Sequence, residues 1–374
     1  MKNPFCIVGS GPAGVSCAKA LLARGERVIL LDGGVELESD KRRIVEKMRG
    51  LAPERWSESD LKTITGATAP THKGIPIKYA FGSEFPYRDT RIPTSGAQVE
   101  VLRSLAKGGL SNVWGAAVLP YTAREMKGWP IEEKDLAPHY KAVLEFMPLA
   151  AEADDLSEYF PLYQETNKPI ELSAQATDLL THLTRNRFRL RKTGFEFGRA
   201  RLAVHQTSDR RCRSCGLCLT GCPYESIYCT METLDALMRN PNFIYTPGWV
   251  VETFKEEADK VSVRGSQDGK IVHLDCQKIF LAAGCVSPTQ IVLRSLNAFG
   301  TARPFKTSQH FILPLLQKFA SKKVTTESLN ALSQIFIEVF GVSAEPSPIH
   351  LQVYSYSPLY GQALSRMVGP LGKA

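Results

Sequence analysis

The segment FCIVGSGPAG, residues 5–14, decides the expected fold at the start of the chain. It opens with a short apolar run, residues 5–8, that is typical of a buried parallel strand. The glycine pattern G-x-G-x-x-G follows at residues 9–14, and residues 13–24 then carry apolar side chains at helical spacing. A second strand is predicted over residues 27–31, with the apolar run 28–31, and Asp32 follows it directly. This order of strand, glycine turn, helix and strand predicts a βαβ unit of about 28 residues.

Such a unit is typical of dinucleotide binding. The first glycine, Gly9, would allow the tight turn, Gly11 would let the backbone approach a pyrophosphate, and Gly14 would let the helix pack on the strand. The helix N-terminus behind them offers free N–H groups to phosphates. An acid after the second strand can accept hydrogen bonds from ribose hydroxyls. The motif alone fits both FAD and NAD(P). The predicted binding residues are Gly9, Ser10, Gly11, Pro12, Ala13, Gly14 and Asp32.

Composition is ordinary for a globular protein, with 43% hydrophobic and 22% charged residues. A length of 374 residues favours two structural units, because single hydrophobic cores stop growing near about 250–300 residues. The formal charge of +8 comes without a dense Lys/Arg block or a recognition motif. We therefore expect no nucleic-acid partner, although anionic substrates or an acidic redox partner would be weakly attracted.

Targeting signals are not evident at the start of the sequence. Residues 1–4 are a short lead-in, and the apolar run 28–31 is far too short to span a bilayer. We expect no transmembrane segment and a cytoplasmic location.

Three later segments make the interpretation more specific. They are GGLSNVWG at 108–115, WPI at 129–131 with DLAPHY at 135–140, and LAAG at 281–284 with SP and LRS within 287–295. In this order they resemble the glucose-methanol-choline (GMC) oxidoreductase family. The resemblance covers most of residues 1–310.

The resemblance implies FAD as the cofactor and an alcohol, polyol or sugar as the substrate. It implies that one glycine-rich segment borders the flavin and that a later strand passes close to the cofactor. Asp32 departs from the family, in which glutamate is more frequent, but a shorter acid still accepts ribose hydroxyls. For Trp114, a buried core aromatic is an equal alternative. The residues carried over are Gly108, Gly109, Ser111, Asn112, Trp114, Ala283 and Gly284.

The expected fold class is α/β, with a three-layer Rossmann-like FAD-binding domain and a partial, sheet-containing substrate domain. The FAD-binding domain would comprise residues 1–155 and 210–310, and the substrate domain residues 156–209 and 311–374. Three strands, residues 244–253, 260–264 and 270–275, with a turn at Asp268-Gly269, predict an antiparallel excursion from the first of these domains.

A cysteine cluster, CRSCGLCLTGCP at 212–223, has the spacing C-x2-C-x2-C-x3-C-P of bacterial ferredoxins. We predict one iron–sulfur cluster, with Cys229 as a reserve ligand. Structural zinc, a disulfide framework and unliganded thiols are alternatives. Zinc more often takes two ligand pairs separated by a longer loop, and the expected cytoplasmic setting disfavours disulfides. The predicted ligands are Cys212, Cys215, Cys218 and Cys222.

Most GMC enzymes lack this cluster, but some multi-subunit sugar and polyol dehydrogenases of the wider family carry one beside FAD. The resemblance to that branch implies a dehydrogenase that passes electrons singly to a protein or quinone acceptor.

The catalytic residues are not identified. The family's C-terminal histidine block has no counterpart here, which favours a chain cut short after Ala374. His310 is a weak candidate for the base, with a structural histidine as the stronger alternative, and we expect His350 to be a hydrogen-bonded sheet residue. Two other functions stay open: a non-catalytic electron-transfer component, and an NAD(P)-linked reductase with a zinc loop.

Overall fold

The computed structural model describes residues 2–66, 71–72, 75–76, 80–87, 103–164, 168–207, 209–304, 311–315, 317, 321–322, 324, 326–341 and 348–356. The chain divides into two compact units. Unit 1 comprises Met1–Glu38, Ser83–Asn112 and Cys229–Ala320, and unit 2 comprises Ser39–Gly82, Val113–Tyr228 and Ser321–Ala374.

Strands and helices alternate along the chain. The strands are β1 (Phe5–Val8), β2 (Val28–Leu31), β3 (Thr71–His72), β4 (Ile75–Pro76), β5 (Phe195–Arg199), β6 (Phe243–Thr246), β7 (Trp249–Glu256), β8 (Val261–Gln267), β9 (Lys270–Cys276), β10 (Ile279–Leu281), β11 (Ile335–Val339) and β12 (Ile349–Val353). The helices are α1 (Pro12–Ala23), α2 (Ser39–Arg49), α3 (Glu58–Thr65), α4 (Glu133–Leu144), α5 (Ala174–Arg185), α6 (Arg187–Lys192), α7 (Thr230–Leu237) and α8 (Val286–Ser295).

A parallel sheet with the strand order β10-β1-β2-β6 forms the centre of unit 1. Its strands are short and apolar on both faces, as expected for a sheet that is covered on both sides. On one face, Cys6, Val8 and Leu31 pack in a core with Trp249 and Val251 of β7. The other face contacts α1, which also packs against α7.

The antiparallel sheet β7-β8-β9 covers the first of these faces, and α8 packs against β7. Unit 1 is therefore layered as helices, parallel sheet and antiparallel sheet, and the predicted α/β class is confirmed. The turn between β8 and β9 lies at Asp268-Gly269, as predicted, with positive φ at both residues. The prediction of a single strand over residues 244–253 was wrong. Pro247 and Gly248 separate β6, which joins the parallel sheet, from β7.

Unit 2 contains the antiparallel sheet β12-β11-β5. Its hydrophobic core includes Leu156, Phe160, Leu202, Tyr228 and Phe336, each at most 3% exposed. The cysteine cluster belongs to this unit. The predicted division into a cofactor domain and a substrate domain is a division by function, and it stays a prediction.

Among the described residues, no helix is both long enough and apolar enough to cross a lipid bilayer.

Candidate functional site

The glycine turn between β1 and α1 has the geometry that its motif predicts. Gly9 has φ +102°, and a Cβ there would lie 2.9 Å from the carbonyl oxygen of Ala282. A Cβ on Gly14 would lie 1.9 Å from the carbonyl oxygen of Gly9. A Cβ on Gly11, in contrast, would meet no atom within 4 Å. Gly9 and Gly14 are thus required by close packing, while Gly11 leaves open space in front of the helix.

That open space lies at the N-terminus of α1. Gly11 is the N-cap, has no side chain to cap the helix, and is followed by Pro12 at the first helical position. The first turn contains no acidic residue. Its unpaired N–H groups and the positive end of the helix dipole therefore favour a bound anion such as a pyrophosphate.

The glycine-rich segment 108–112 lies directly beside this turn. A Cβ on Gly109 would be 3.5 Å from the Cα atom of Gly11. The N–H of Gly108 donates a hydrogen bond of 2.8 Å to Oγ of Ser10. Nδ2 of Asn112 donates to the carbonyl oxygens of Lys107 and Gly109, which fixes the short 3-10 helix Gly109–Asn112. The turn and this segment therefore form one continuous wall.

Cys229 and Thr230, at the start of α7, contact both the glycine turn and the glycine-rich segment. Oγ of Ser111 donates to the carbonyl oxygen of Gly108 at 2.6 Å and accepts the N–H of Thr230 at 3.1 Å. Oγ1 of Thr230 lies 3.0 Å from the carbonyl oxygen of Ser10. Sγ of Cys229 lies 3.3 Å from Oγ of Ser111. Cys229, which the sequence suggested as a reserve metal ligand, thus contacts the glycine-rich segment of unit 1.

Asp32 is 6% exposed and holds the turn from behind. Its carboxylate accepts the N–H of Ser10 at 3.2 Å, Oγ–H of Ser10 at 2.8 Å and the hydroxyl of Tyr245 at 2.9 Å. Burial raises the pKa of Asp32, and the hydrogen bonds from Ser10 and Tyr245 oppose that rise. Burial, followed by the nearby charge of Asp32, raises the pKa of Tyr245 well above its usual range, so its hydroxyl is a permanent donor.

The segment after β10, residues 282–284, also lies beside the glycine turn. The Cβ position of Gly9 is 3.1 Å from the Cα atom of Ala283, and Gly284 follows with φ +80° and open space around its Cβ position. Within unit 1 the structure therefore brings together Gly9, Ser10, Gly11, Pro12, Ala13, Gly14, Asp32, Gly108, Gly109, Ser111, Asn112, Ala283 and Gly284.

Trp114, also predicted at the cofactor, belongs to unit 2. Its Nε1 donates a hydrogen bond of 2.8 Å to the carbonyl oxygen of Tyr228, and its ring packs against the core of that unit. These contacts are those of a core aromatic, the alternative that the sequence left open.

The cysteine cluster forms a loop around the 3-10 turn Leu217–Leu219. Burial raises the pKa of Cys212, raises that of Cys215 to about 12, and raises that of Cys218 further. Cys218 is 7% exposed, the most buried of the four thiols. Burial therefore favours the neutral thiol at these three positions.

Each of the four sulfur atoms accepts a backbone N–H group. Cys212 accepts from Ser214 and Cys215 from Leu217. Cys218 accepts from Ala331 at 3.4 Å, and Cys222 from Ser226 at 3.3 Å. Such donors are a feature of thiolate sites. Nevertheless, no group of three or more His, Cys, Asp or Glu side chains in the described part of the chain is arranged to hold a metal ion. The donor set fits an iron–sulfur cluster but its arrangement does not, so the structure does not support the predicted ligand set.

His310 and His350 are the two histidines that the sequence singles out. His310 lies outside the described residues. Nδ1 of His350, on β12, lies 2.6 Å from Oε1 of Glu338 on the neighbouring strand β11. The prediction of a hydrogen-bonded sheet residue is confirmed for His350.

Sequence reasoning missed Thr230 and Tyr245. Tyr245 lies in β6, next to β2 in the parallel sheet, and this position was hidden because β6 had been merged with β7. The carboxyl ends of neighbouring parallel strands meet at one edge, so a correct assignment of β6 would have placed Tyr245 near Asp32. Thr230 carried a weaker signal, a small polar residue at the first position of a helix.

Comparisons with known proteins give a limited result. No family model and no curated protein matches the chain. Among solved structures, pyridoxine 4-oxidase from Mesorbium loti is similar at 16% identity and a TM-score of 0.45, over 79% of this chain and 52% of that one. The anhydrotetracycline hydroxylase OxyS from Streptomyces rimosus is similar at 13% identity and a TM-score of 0.30, over 79% and 34%. AlpK is similar at 11% identity and a TM-score of 0.27, over 75% and 31%.

This chain spans about half the length of the first of these structures and about a third of the other two. TM-scores below 0.5 do not establish a common fold. The α/β assignment comes instead from the chain's own sheets and helices.

Proposed function

We propose that this chain binds FAD in unit 1 and is part of an oxidoreductase that acts on the CH–OH group of an alcohol, polyol or sugar. One observation carries the proposal: the segments 108–112 and 282–284 both contact the turn 9–14, which leaves open space at Gly11. The N-terminus of α1 faces that space and suits a pyrophosphate.

FAD is favoured over NAD(P) by the segment 108–112. A simple βαβ turn binds either dinucleotide, but here Gly109 lies against Gly11 and extends the wall beyond the turn. That second segment is also the one that resembles the flavin-bordering stretch of GMC oxidoreductases. Zinc-dependent NAD(P) chemistry finds less support, because the described residues contain no group arranged to hold a metal ion.

The chain's own residues would act by binding and positioning. The N–H groups of Ala13 and Gly14 would face the pyrophosphate, and the backbone of Gly109, Gly284 and their neighbours would line the remaining path. When bound, FAD supplies the acceptor for the substrate hydride. The base that takes the hydroxyl proton is not assigned.

The test is a binding measurement on the purified full chain. We expect a flavin absorption spectrum after reconstitution with FAD and saturable quenching of flavin fluorescence on titration. NAD+ and NADP+, titrated in parallel, should bind at least tenfold more weakly. Preferred binding of NAD+ or NADP+ would overturn the proposal.

Substrate oxidation needs a separate experiment. Sugars, polyols and simple alcohols would be added anaerobically to the FAD-loaded chain, with loss of flavin absorption as the readout. Reduction by one chemical class would name the substrate class. Bound FAD that no donor reduces would leave a non-catalytic electron-transfer component as the function of the chain.

The electron relay through an iron–sulfur cluster stays a separate hypothesis. It is supported by the ferredoxin-type spacing and by the N–H donors on all four sulfur atoms, and it is opposed by their arrangement. Anaerobic reconstitution followed by iron and acid-labile sulfide analysis decides it. Stoichiometric zinc, or thiols without metal, would remove the relay and with it the external protein or quinone acceptor.

A further inference from the structure

Asp32 stands where the dinucleotide motif predicts a ribose-binding acid, but its oxygens are already occupied. They accept hydrogen bonds from the N–H and Oγ–H of Ser10, from the hydroxyl of Tyr245 and from the N–H of Gly34. A carboxylate offers about four acceptor positions. With the side chain 6% exposed and four donors in place, no position is left for a ribose hydroxyl.

The same contacts connect Asp32 to both walls of the site. Oγ of Ser10 donates to Asp32 and accepts the N–H of Gly108, so it joins the glycine turn to the glycine-rich segment. On the other side, Tyr245 lies beneath Nζ of Lys107, which is 5.9 Å from the centre of its ring. Lys107 directly precedes Gly108. The contacts therefore close a ring through Ser10, Asp32, Tyr245, Lys107 and Gly108.

We propose that Asp32 is a positioning residue that fixes the turn and the segment 107–109 relative to each other, and that it binds no ribose hydroxyl. The proposal deepens the dinucleotide site and rests on the proposed function for its ligand.

Substitution of Asp32 by Asn would break the ring without changing its size. Asn keeps one acceptor oxygen and presents an NH2 group at the other position, where donors already point. The amide oxygen can stay at the Oδ1 position, where it accepts the N–H of Ser10, but the NH2 group then faces the hydroxyls of Ser10 and Tyr245, which both donate to Oδ2 of Asp32. The turn would therefore loosen even with no nucleotide bound.

Ligand binding separates the two roles of Asp32. ADP, the adenosine and pyrophosphate half of FAD, and 2′,3′-dideoxy-ADP would be titrated calorimetrically into the wild-type chain, Asp32→Asn and Ser10→Ala. We expect each variant to lower the affinity for both ligands about tenfold and to leave the ratio of the ADP affinity to the dideoxy-ADP affinity unchanged. The double variant should bind no more weakly than either single variant. Asp275→Asn, a surface acid of unit 1 bound to Lys260, is the matched charge control and should change neither affinity.

If the ratio of the ADP affinity to the dideoxy-ADP affinity fell to one in Asp32→Asn but not in Ser10→Ala, Asp32 would contact the ribose directly, and the proposal would be overturned. Unchanged affinity for both ligands would overturn it as well.

Hydrogen exchange of the nucleotide-free chain gives a second readout. Amides of residues 9–11, 13–14 and 107–112 should exchange at least tenfold faster in Asp32→Asn. They should exchange less markedly faster in Tyr245→Phe, the milder variant if the first does not fold. Asp275→Asn should match the wild type. If the exchange rates in Asp32→Asn were the same as in the wild type, the positioning role of Asp32 would be contradicted. If the wild-type chain bound neither ADP nor FAD, the proposed function would fail, and this exchange experiment would still decide the role of Asp32.

Discussion

The glycine turn of unit 1 and the cysteine loop of unit 2 are both short motifs, but only the glycine turn has the geometry that its motif predicts. Around the turn, the closest contacts of the glycines are with backbone atoms: Gly9 against Ala282, Gly14 against Gly9 and Gly109 against Gly11. In the loop, the backbone also takes part, through an N–H group on each sulfur. The side chains nevertheless form no group that is arranged for a metal, as far as the described residues show.

The difference follows from what each motif needs. A glycine motif acts through φ angles and the close approach of backbone atoms, which the folded chain sets without a bound ligand. A cysteine motif acts through thiolates that repel one another unless a cation or cluster holds them, so binding and local folding are coupled. Backbone motifs can therefore be located from the chain alone, whereas a thiolate site needs a chemical test.

The largest expected effect concerns thiol reactivity in the loop. Because burial raises the pKa of Cys215 to about 12, its thiolate fraction at pH 8 should be roughly a thousandfold below that of an ordinary cysteine. Alkylation by iodoacetamide, followed by mass spectrometry, should therefore modify the exposed Cys285 long before Cys215. The thiolate is the reactive form, so the rate at Cys215 should rise tenfold for each pH unit up to about pH 12. Fast reaction at pH 7, or a rate independent of pH, would contradict a neutral thiol and favour a bound thiolate.

Gly14→Ala should have the next largest effect. Its Cβ would lie 1.9 Å from the carbonyl oxygen of Gly9, so helix and strand must separate. We expect a loss of about 3 kcal/mol in the free energy of unfolding, close to a 150-fold change in the folding equilibrium. Urea unfolding followed by circular dichroism measures it. Gly115→Ala, whose Cβ meets no atom within 4 Å, is the control and should unfold like the wild type.

Gly11→Ala should separate binding from folding in the same turn. Its φ of −66° suits alanine and its Cβ points into open space, so stability should be unchanged or slightly higher. The affinity for FAD should fall about tenfold or more, because the methyl group would occupy the approach of the pyrophosphate. Flavin fluorescence titration checks this. Wild-type affinity would show that the open space is not used by the cofactor.

Trp114→Phe should have the smallest effect. It removes the hydrogen bond to the carbonyl oxygen of Tyr228 and should lower the stability of unit 2 by about 1 kcal/mol, close to a fivefold change. The urea midpoint measures it. A changed flavin absorption spectrum in this variant would place the indole at the cofactor instead of in the core.

The sequence predicts the parts of the fold in which local pattern and tertiary position agree. Residues 5–32, the β10 strand and the turn at Asp268-Gly269 all fall in this class. It fails where a short run fits two structures. The run 244–253 suggested one strand, but Pro247 and Gly248 divide it between β6 of the parallel sheet and β7 of the antiparallel sheet. The role of Tyr245 depends on strand order, which no local pattern contains.

Unit 1 is assembled from three stretches that are far apart in the sequence. β1 is translated some 270 residues before Ala282, which closes the turn from the side of β10. At about 5–20 residues per second the ribosome needs roughly 15–55 s for that interval. Until then the apolar edge of β1 has no native partner on that side. We therefore expect a late-forming nucleotide site and a nascent chain that depends on chaperones to keep its first strand from aggregating.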